Sequence, residues 1–168
     1  MSNLELDAVK RVRDALIAAE FPDTVQDLPE GVKTVADVAK ALGVEPGAIV
    51  KTKVYTVGNR YVLAVVAGDR VCGEDQLARA LSLEGEVVRP TADLVRAVTG
   101  FAPSGACGGV SPVGMVSKIP VAIDASLKRF DKLYAGAGHS HCVFETNMDD
   151  LKQLTKGVVS YAVAKEEA

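Results

Sequence analysis

Two lysines stand two residues apart, Lys51 and Lys53, in the run GAIVKTKVYTVGNRYVLAVVAGDR that covers residues 47–70. Its halves are rich in β-branched and aromatic residues and are joined by Gly58 and Asn59, which predicts a hairpin. Residues two apart in a strand share a face, so Ile49, Lys51, Lys53, Tyr55 and Val57 point one way while Val50, Thr52 and Val54 point the other. An ammonium group held between apolar neighbours can bind an anionic ligand or stabilise a developing negative charge. The alternative for such a lysine is to snorkel from a sheet edge into water.

A second passage with chemical potential is GFAPSGACGGVSPVGM, residues 100–115, with five glycines and two prolines. That composition excludes an ordinary helix or central strand and predicts a shaped loop, since proline lacks a donor and glycine tolerates positive φ. Such a loop either presents successive backbone N–H groups to an oxygen-rich ligand or is a plain surface connection. Its glycine spacing matches neither the dinucleotide fingerprint nor a P-loop, and this argues against nucleoside triphosphate hydrolysis. Cys107 lies in the loop without a His or Asp partner at motif spacing, which speaks against a thiol nucleophile. His139 and His141 in GHSHC share a strand parity, yet His-x-His with one distant thiol is a poor metal pattern, and no metal site and no cofactor are expected. Asp124 precedes ASL as a helix cap would.

These residues must be carried by a scaffold whose elements the sequence punctuates clearly. Ser2 with Glu5 reads as a capping box for a helix bearing Leu6, Val9, Val12, Leu16 and Ile17 at helical spacing. FPDTVQDLPEG reads as the connection that ends it. Thr34 caps a second helix closed by Gly43, and the Lys51 hairpin follows. EDQLARAL is helical, GEVVR a short strand, and TADLVRAV a helix capped by Thr91 with Gly100 beyond its end. IPVAID, KLYAGAG and HCVFET read as strands, residues 147–155 as a helix capped by Asn147, and VVSYAV as a last strand. Several strands follow one another without a helix, so the expected fold is mixed α/β (α+β): a strongly curved, barrel-like mixed sheet surrounded by helices.

The chain has 168 residues, 48% of them hydrophobic and 24% charged, which is the size and composition of one globular domain with a sizeable core. We expect a single domain over 1–168, with 1–33 as an N-terminal helix and connection and 34–163 as the core. No run of 18 apolar residues occurs, and charges are scattered through the first helix, so neither a membrane span nor a secretory signal is expected and the cytoplasm is the expected compartment. Three cysteines, an odd number, fit reduced thiols better than a disulfide framework. A net charge of −3 means that a polyanionic partner has to be gripped by a local cluster of Lys and Arg.

The order ALGVEPGAIVKTKVY, a hairpin arm ending VAGD, a TG followed by GGVSPVG, then IPVAID and AGAG before a last helix resembles the YbaK and prolyl-tRNA synthetase insertion-domain editing family. The resemblance covers roughly residues 34–163. Its most specific parts are the strand lysine in IVKT and the Gly-x-x-x-Pro loop, here Gly108, Gly109, Val110, Ser111 and Pro112. It implies a curved mixed sheet surrounded by helices and a free-standing hydrolase that removes a wrongly attached amino acid from tRNA. The implied partners are a tRNA acceptor end carrying a mischarged amino acid and an aminoacyl-tRNA synthetase. An aminoacyl ester is already reactive, so its hydrolysis needs a polarised carbonyl and a positioned water rather than a strong nucleophile. The resemblance assigns Lys51 the catalytic role, by binding the terminal nucleotide or stabilising the oxyanion. It assigns substrate contacts to Gly108 and Gly109 through their N–H groups, to Ser111 and Pro112, which fix the loop, and to His139 at the border of the aminoacyl pocket. Lys53 either contacts tRNA phosphate or is simply exposed.

The sequence departs from both characterised branches of that family. The alanine-removing branch has Asn after the strand lysine and a Phe-His-Pro near the third late strand, where this chain has Thr52 and Ala135, Gly136, Ala137. The cysteine-removing branch has an Asp where this chain has Val143. Small residues around AGAGHS and the Gly108–Pro112 loop favour a small side chain, serine or threonine ahead of alanine. The alternative reading is a non-catalytic module that binds an aminoacyl-adenosine or another nucleotide-like ligand on the same fold.

Overall fold

The computed structural model describes residues 2–103 and 109–166. Fourteen elements appear in chain order: α1 (Asp7–Ala18), β1 (Val25–Asp27), α2 (Val35–Leu42), β2 (Ile49–Val57), β3 (Arg60–Ala67), β4 (Arg70–Cys72), α3 (Glu74–Ala80), β5 (Val87–Val88), α4 (Ala92–Thr99), β6 (Val121–Asp124), β7 (Leu133–Gly136), β8 (Cys142–Thr146), α5 (Met148–Thr155), and β9 (Val158–Ser160). A last short strand, β10, spans Ala164–Glu166.

Local chemistry explains most of the boundaries. The Thr34 hydroxyl accepts the Asp37 N–H at 3.0 Å while the Asp37 carboxylate accepts the Thr34 N–H, a reciprocal cap that satisfies two orphan donors at the start of α2. Thr91 and Asn147 cap α4 and α5 one-sidedly, their side-chain oxygens accepting the Leu94 and Asp150 N–H groups. Gly43 and Gly100 end α2 and α4 in the left-handed region, where a Cβ is costly. The N-terminus differs from expectation. Ser2 caps a short 3-10 turn over Asn3–Glu5, and α1 then starts after Leu6 with no side-chain cap. Val9, Val12 and Leu16 form its buried stripe, whereas Leu6 and Ile17 are exposed.

The main sheet has the order β1-β8-β7-β2-β3-β6-β9, with β5 attached to the end of β2. β2 pairs antiparallel with β3 over eight residue pairs, from Val50 opposite Ala67 to Val57 opposite Arg60. β7 runs parallel to β2, β6 parallel to β3, and β9 parallel to β6. A mixed sheet with outlying helices is therefore as expected, but it does not close into a barrel: β1 and β9 are its outer strands. β4 and β10 form a separate antiparallel pair.

Strand parity sorts the core into layers. On one face Val50, Val54, Leu63 and Val65 pack with Val9, Val12 and Leu16 of α1, Val95 of α4 and Leu151 of α5. On the other, Tyr55, Val57, Val62, Ala64 and Val66 pack with Leu77 of α3 and Val163. Because β3 is covered on both sides, Val62 to Ala67 is an unbroken apolar run rather than an alternating one. Ile49, at the start of β2, instead joins Val38 and Ala39 of α2 with Tyr134 and Val143.

Candidate functional site

Lys51, Lys53 and Tyr55 lie on the same face of β2, as the alternation requires, and all three line a pocket of about 430 Å³. Val66 of β3, Val71 and Cys72 of β4, Glu74 and Asp75 of α3, Arg89 just after β5, and Lys165 of β10 complete it. Lys51 is half-buried, and its ammonium donates to the main-chain carbonyl of Arg70. Tyr55 is buried, with its hydroxyl beside the Cys72 thiol. Desolvation holds that phenol proton far more tightly than usual and also pushes the Cys72 thiol up, so neither is a ready anion at neutral pH. At the mouth, Arg89 grips Glu74 with two hydrogen bonds, at 2.7 and 3.2 Å. That grip holds the Glu74 carboxyl below its ordinary value, with Lys53 and Lys165 adding to the effect.

The pairing of β2 leaves an opening beside Lys51. β7 accompanies β2 only at Ile49 and Val50, and β5 joins the same edge only at Thr56 and Val57. Between those points the edge of β2 from Thr52 to Tyr55 has no strand partner among the described residues. A break of this kind, where neighbouring strands part, gives a ligand access to main-chain groups. On the opposite side of β2 from Lys51, the Thr52 hydroxyl is 1% exposed and has no hydrogen-bond partner among the described residues. A buried hydroxyl without a partner is costly and marks a place where a ligand group or water can complete the bonding.

The Gly-x-x-x-Pro loop is placed differently. Gly108 and Cys107 lie outside the described residues. Gly109 is in the left-handed region at φ 67°, and the buried Ser111 hydroxyl accepts the Val113 N–H at 3.1 Å, so Ser111 shapes the turn around Pro112. Val110 and Val113 pack with Val50 and Val54, on the face of β2 that carries Thr52. Ser111 and Pro112 are consequently not in the pocket with Lys51, and the reason is parity: Lys51 and Thr52 are consecutive and point to opposite faces. His139 sits in the turn between β7 and β8, where its Nδ1 accepts the His141 N–H at 3.1 Å. A Cβ on the preceding Gly138 would lie 3.2 Å from the Phe101 ring and 2.9 Å from the Ala8 carbonyl. The structure thus brings the His139 turn to the start of the glycine-rich passage and to α1, not to the Lys51 pocket.

Among the described residues no three His, Cys, Asp or Glu side chains converge as metal ligands. Asp124 acts as a cap: it accepts from the Ser126 N–H at 2.8 Å and from the Ala67 N–H at 3.0 Å. Cys142 is buried beside Asp27, and burial pushes its thiol up to about 12. Sequence reasoning missed Cys72, Glu74, Arg89 and Lys165 as neighbours of Lys51. Cys72 and Glu74 arrive with β4 and α3, while the pairing of β5 with β2 and of β10 with β4 brings Arg89 and Lys165 there, and neither pairing has a local signature.

The profile of the aminoacyl-tRNA editing domain matches residues 29–154. This chain belongs to that family. A proline–tRNA ligase of Bacillus licheniformis is 29% identical over 137 residues, which are 81% of this chain and 23% of the ligase. The chain spans 14–23% of the length of the ligases it matches. The uncharacterised protein YwhH of Bacillus subtilis is 24% identical over 160 residues, 95% of this chain and 98% of that one. A crystal structure provisionally assigned as a trans-editing enzyme for prolyl tRNA synthetase superposes with a TM-score of 0.86 at 30% identity, covering 96% of this chain and 98% of that one. Among the described residues no helix is long and apolar enough to cross a membrane.

Proposed function

We propose that this protein is a trans-acting aminoacyl-tRNA deacylase that hydrolyses the ester of a mischarged small amino acid. The observation that carries the reading is Lys51: an ammonium half-buried in a pocket, on a strand of a chain that belongs to the editing-domain family. Similarity to the structure provisionally assigned as a trans-editing enzyme, at 30% identity and a TM-score of 0.86, supports action in trans.

The chemistry asked of the site is modest. Water adds to the ester carbonyl, the C–O bond to the ribose breaks, and the water proton passes to the departing ribose oxygen. Lys51 stabilises the carbonyl oxygen as it becomes negative, or holds the terminal nucleotide so that the carbonyl reaches that point. The Thr52 hydroxyl, on the other side of the same opening, supplies a hydrogen bond to the substrate or to the water. In this reading Gly109, Ser111, Pro112 and His139 bound the aminoacyl group from the α1 side of the opening, and the Gly108 N–H remains a proposed donor to the ester. Tiny residues there admit small side chains. A missing methylene or an added hydroxyl changes binding by only about 1–3 kcal/mol, so small amino acids are the errors a synthetase makes.

A panel of tRNAs charged with serine, threonine, alanine and phenylalanine, compared by kcat/KM under equal conditions, tests the proposal. Serine and threonine are expected ahead of alanine, and phenylalanine last. Faster removal of phenylalanine than of any small residue would overturn the small-pocket reading. Tight binding of an aminoacyl-adenosine analogue without hydrolysis of any ester would favour a non-catalytic binding module on the same fold.

A further inference from the structure

Beyond Lys51, the pocket has a second chemical character that hydrolysis does not use. Its lining holds four cations, Lys51, Lys53, Arg89 and Lys165, against two carboxylates, Glu74 and Asp75, in a chain whose net charge is −3. Three of these cations surround one carboxylate. Arg89 is bonded directly to Glu74, and Lys53 and Lys165 are close enough to favour its charged form. They come from three separate strands or strand ends, so the fold rather than a local run of basic sequence gathers them.

Their placement along β2 is also ordered. Lys53 is two residues beyond Lys51 on the same face, about 7 Å at the usual rise of a strand. Arg89 follows Val88, which pairs with Thr56, so it lies further along the same direction. Lys165 faces them from the other wall, paired in register with Val71. The cations thus form a track leading away from Lys51.

We infer that Lys53, Arg89 and Lys165 form a phosphate grip for the single-stranded 3′ end of the RNA, holding the backbone that leads to the esterified terminal nucleoside at Lys51. This rests on the deacylase reading, because that reading fixes which end of the RNA is at Lys51. A locally basic track in an otherwise acidic chain suits a ligand that is engaged through a few phosphates at one end, whereas a broad polyanion would meet net repulsion elsewhere. Glu74 has a defined part: it holds the Arg89 guanidinium at the mouth and moderates the positive field, at the expense of affinity.

The test uses the full chain and a fluorescent, uncharged RNA minihelix with a short single-stranded 3′ end, titrated at several salt concentrations. Each of Lys53→Gln and Lys165→Gln should weaken binding about fivefold and lower the slope of log K against log salt by about 0.7, the release expected for one single-strand phosphate contact. Glu74→Gln should tighten binding about threefold, a sign that a purely structural role for the Arg89 bridge would not produce. A minihelix lacking the single-stranded end should bind weakly and be indifferent to the Lys substitutions. Unchanged affinity and slope in Lys53→Gln and Lys165→Gln, or equal binding of the blunt minihelix, would overturn the grip. Deacylation of charged tRNA by the wild-type chain is measured alongside: hydrolysis with a failed grip overturns only this inference, while a salt-dependent grip without hydrolysis supports it and overturns the catalytic reading.

Discussion

The Lys51 ammonium donates to the main-chain carbonyl of Arg70, so a side chain of β2 is tied to the backbone of β4 across the pocket. Two consequences follow for a variant that lacks the ammonium: it loses the group proposed to act on the ester and one part-buried tether. A hydrogen bond from a charged group is worth about 1.5–3 kcal/mol, and this one, only part-buried, belongs at the lower end. Loss of a group that stabilises a developing oxyanion costs about a hundredfold or more in rate. Lys51→Ala is expected to remove at least that much single-turnover deacylation while leaving thermal unfolding cooperative and only slightly lowered. Turnover equal to wild type would rule out the role assigned to Lys51.

The turn that presents Arg70 is itself clamped. Arg129 donates to both Asp69 carboxylate oxygens, at 2.8 and 2.9 Å, and to the Ser126 carbonyl at 2.7 Å, with its guanidinium over the Phe130 ring. The hydrogen bond from Arg129 holds the Asp69 carboxyl below its ordinary value. A carboxyl depressed on folding contributes stability that is complete above its unfolded value, about 3.9, and is lost as pH falls through the folded one. Wild type is therefore expected to be more stable than Asp69→Asn at pH 6, with the gap shrinking below about pH 4. Thermal unfolding across that range measures it; a gap that widens with acid would contradict the assignment.

Gly68 precedes Asp69, and a Cβ there would lie 2.3 Å from the Pro46 carbonyl and 2.8 Å from that of Ile49. Both obstacles are backbone, so the turn between β3 and β4 must move. Gly68→Ala is expected to destabilise by about 1–3 kcal/mol, as overpacking does, and to lower deacylation because Arg70 shifts away from Lys51. Urea denaturation gives the first quantity. An unchanged midpoint would mean that the turn relocates at no cost.

Hydrolysis is expected to need neither thiol nor metal. Cys107→Ala should keep the deacylation rate within about threefold of wild type, and so should excess chelator, since water and hydrogen-bond donors suffice for an ester. Activity that vanishes with chelator and returns with zinc would point instead to His139 and His141 as ligands.

What the sequence revealed depended on how local its cause was. α2, α4 and α5 were legible because Thr34, Thr91 and Asn147 bond within their own first turns and Gly43 and Gly100 stop two of the helices. The long strands β2 and β3 were legible from composition, and parity placed Lys51, Lys53 and Tyr55 on one face. β1, β4 and β10 were not legible. Each has three residues, too few to show a period, and each exists because a partner distant in sequence accepts its hydrogen bonds. The same cause hid half the pocket: nothing near Lys165 signals that it faces Lys53. The role of the Gly-x-x-x-Pro loop came from the family resemblance; strand parity adds that Val110 and Val113 pack in the core layer of Val50 and Val54, on the face of β2 away from Lys51.

The wall made by β4 and β10 also bears on when the site comes into being. Val71 and Lys165 are register partners, yet the second follows the first far along the chain. As the polypeptide emerges during synthesis, the β2 and β3 hairpin can pair long before residues 164–166 exist, and Lys51 then stands on a strand with one side of its pocket missing. Late docking of β10 supplies that side. A partly made molecule thus has its central strands and its lysine but lacks the wall of the pocket that carries Lys165.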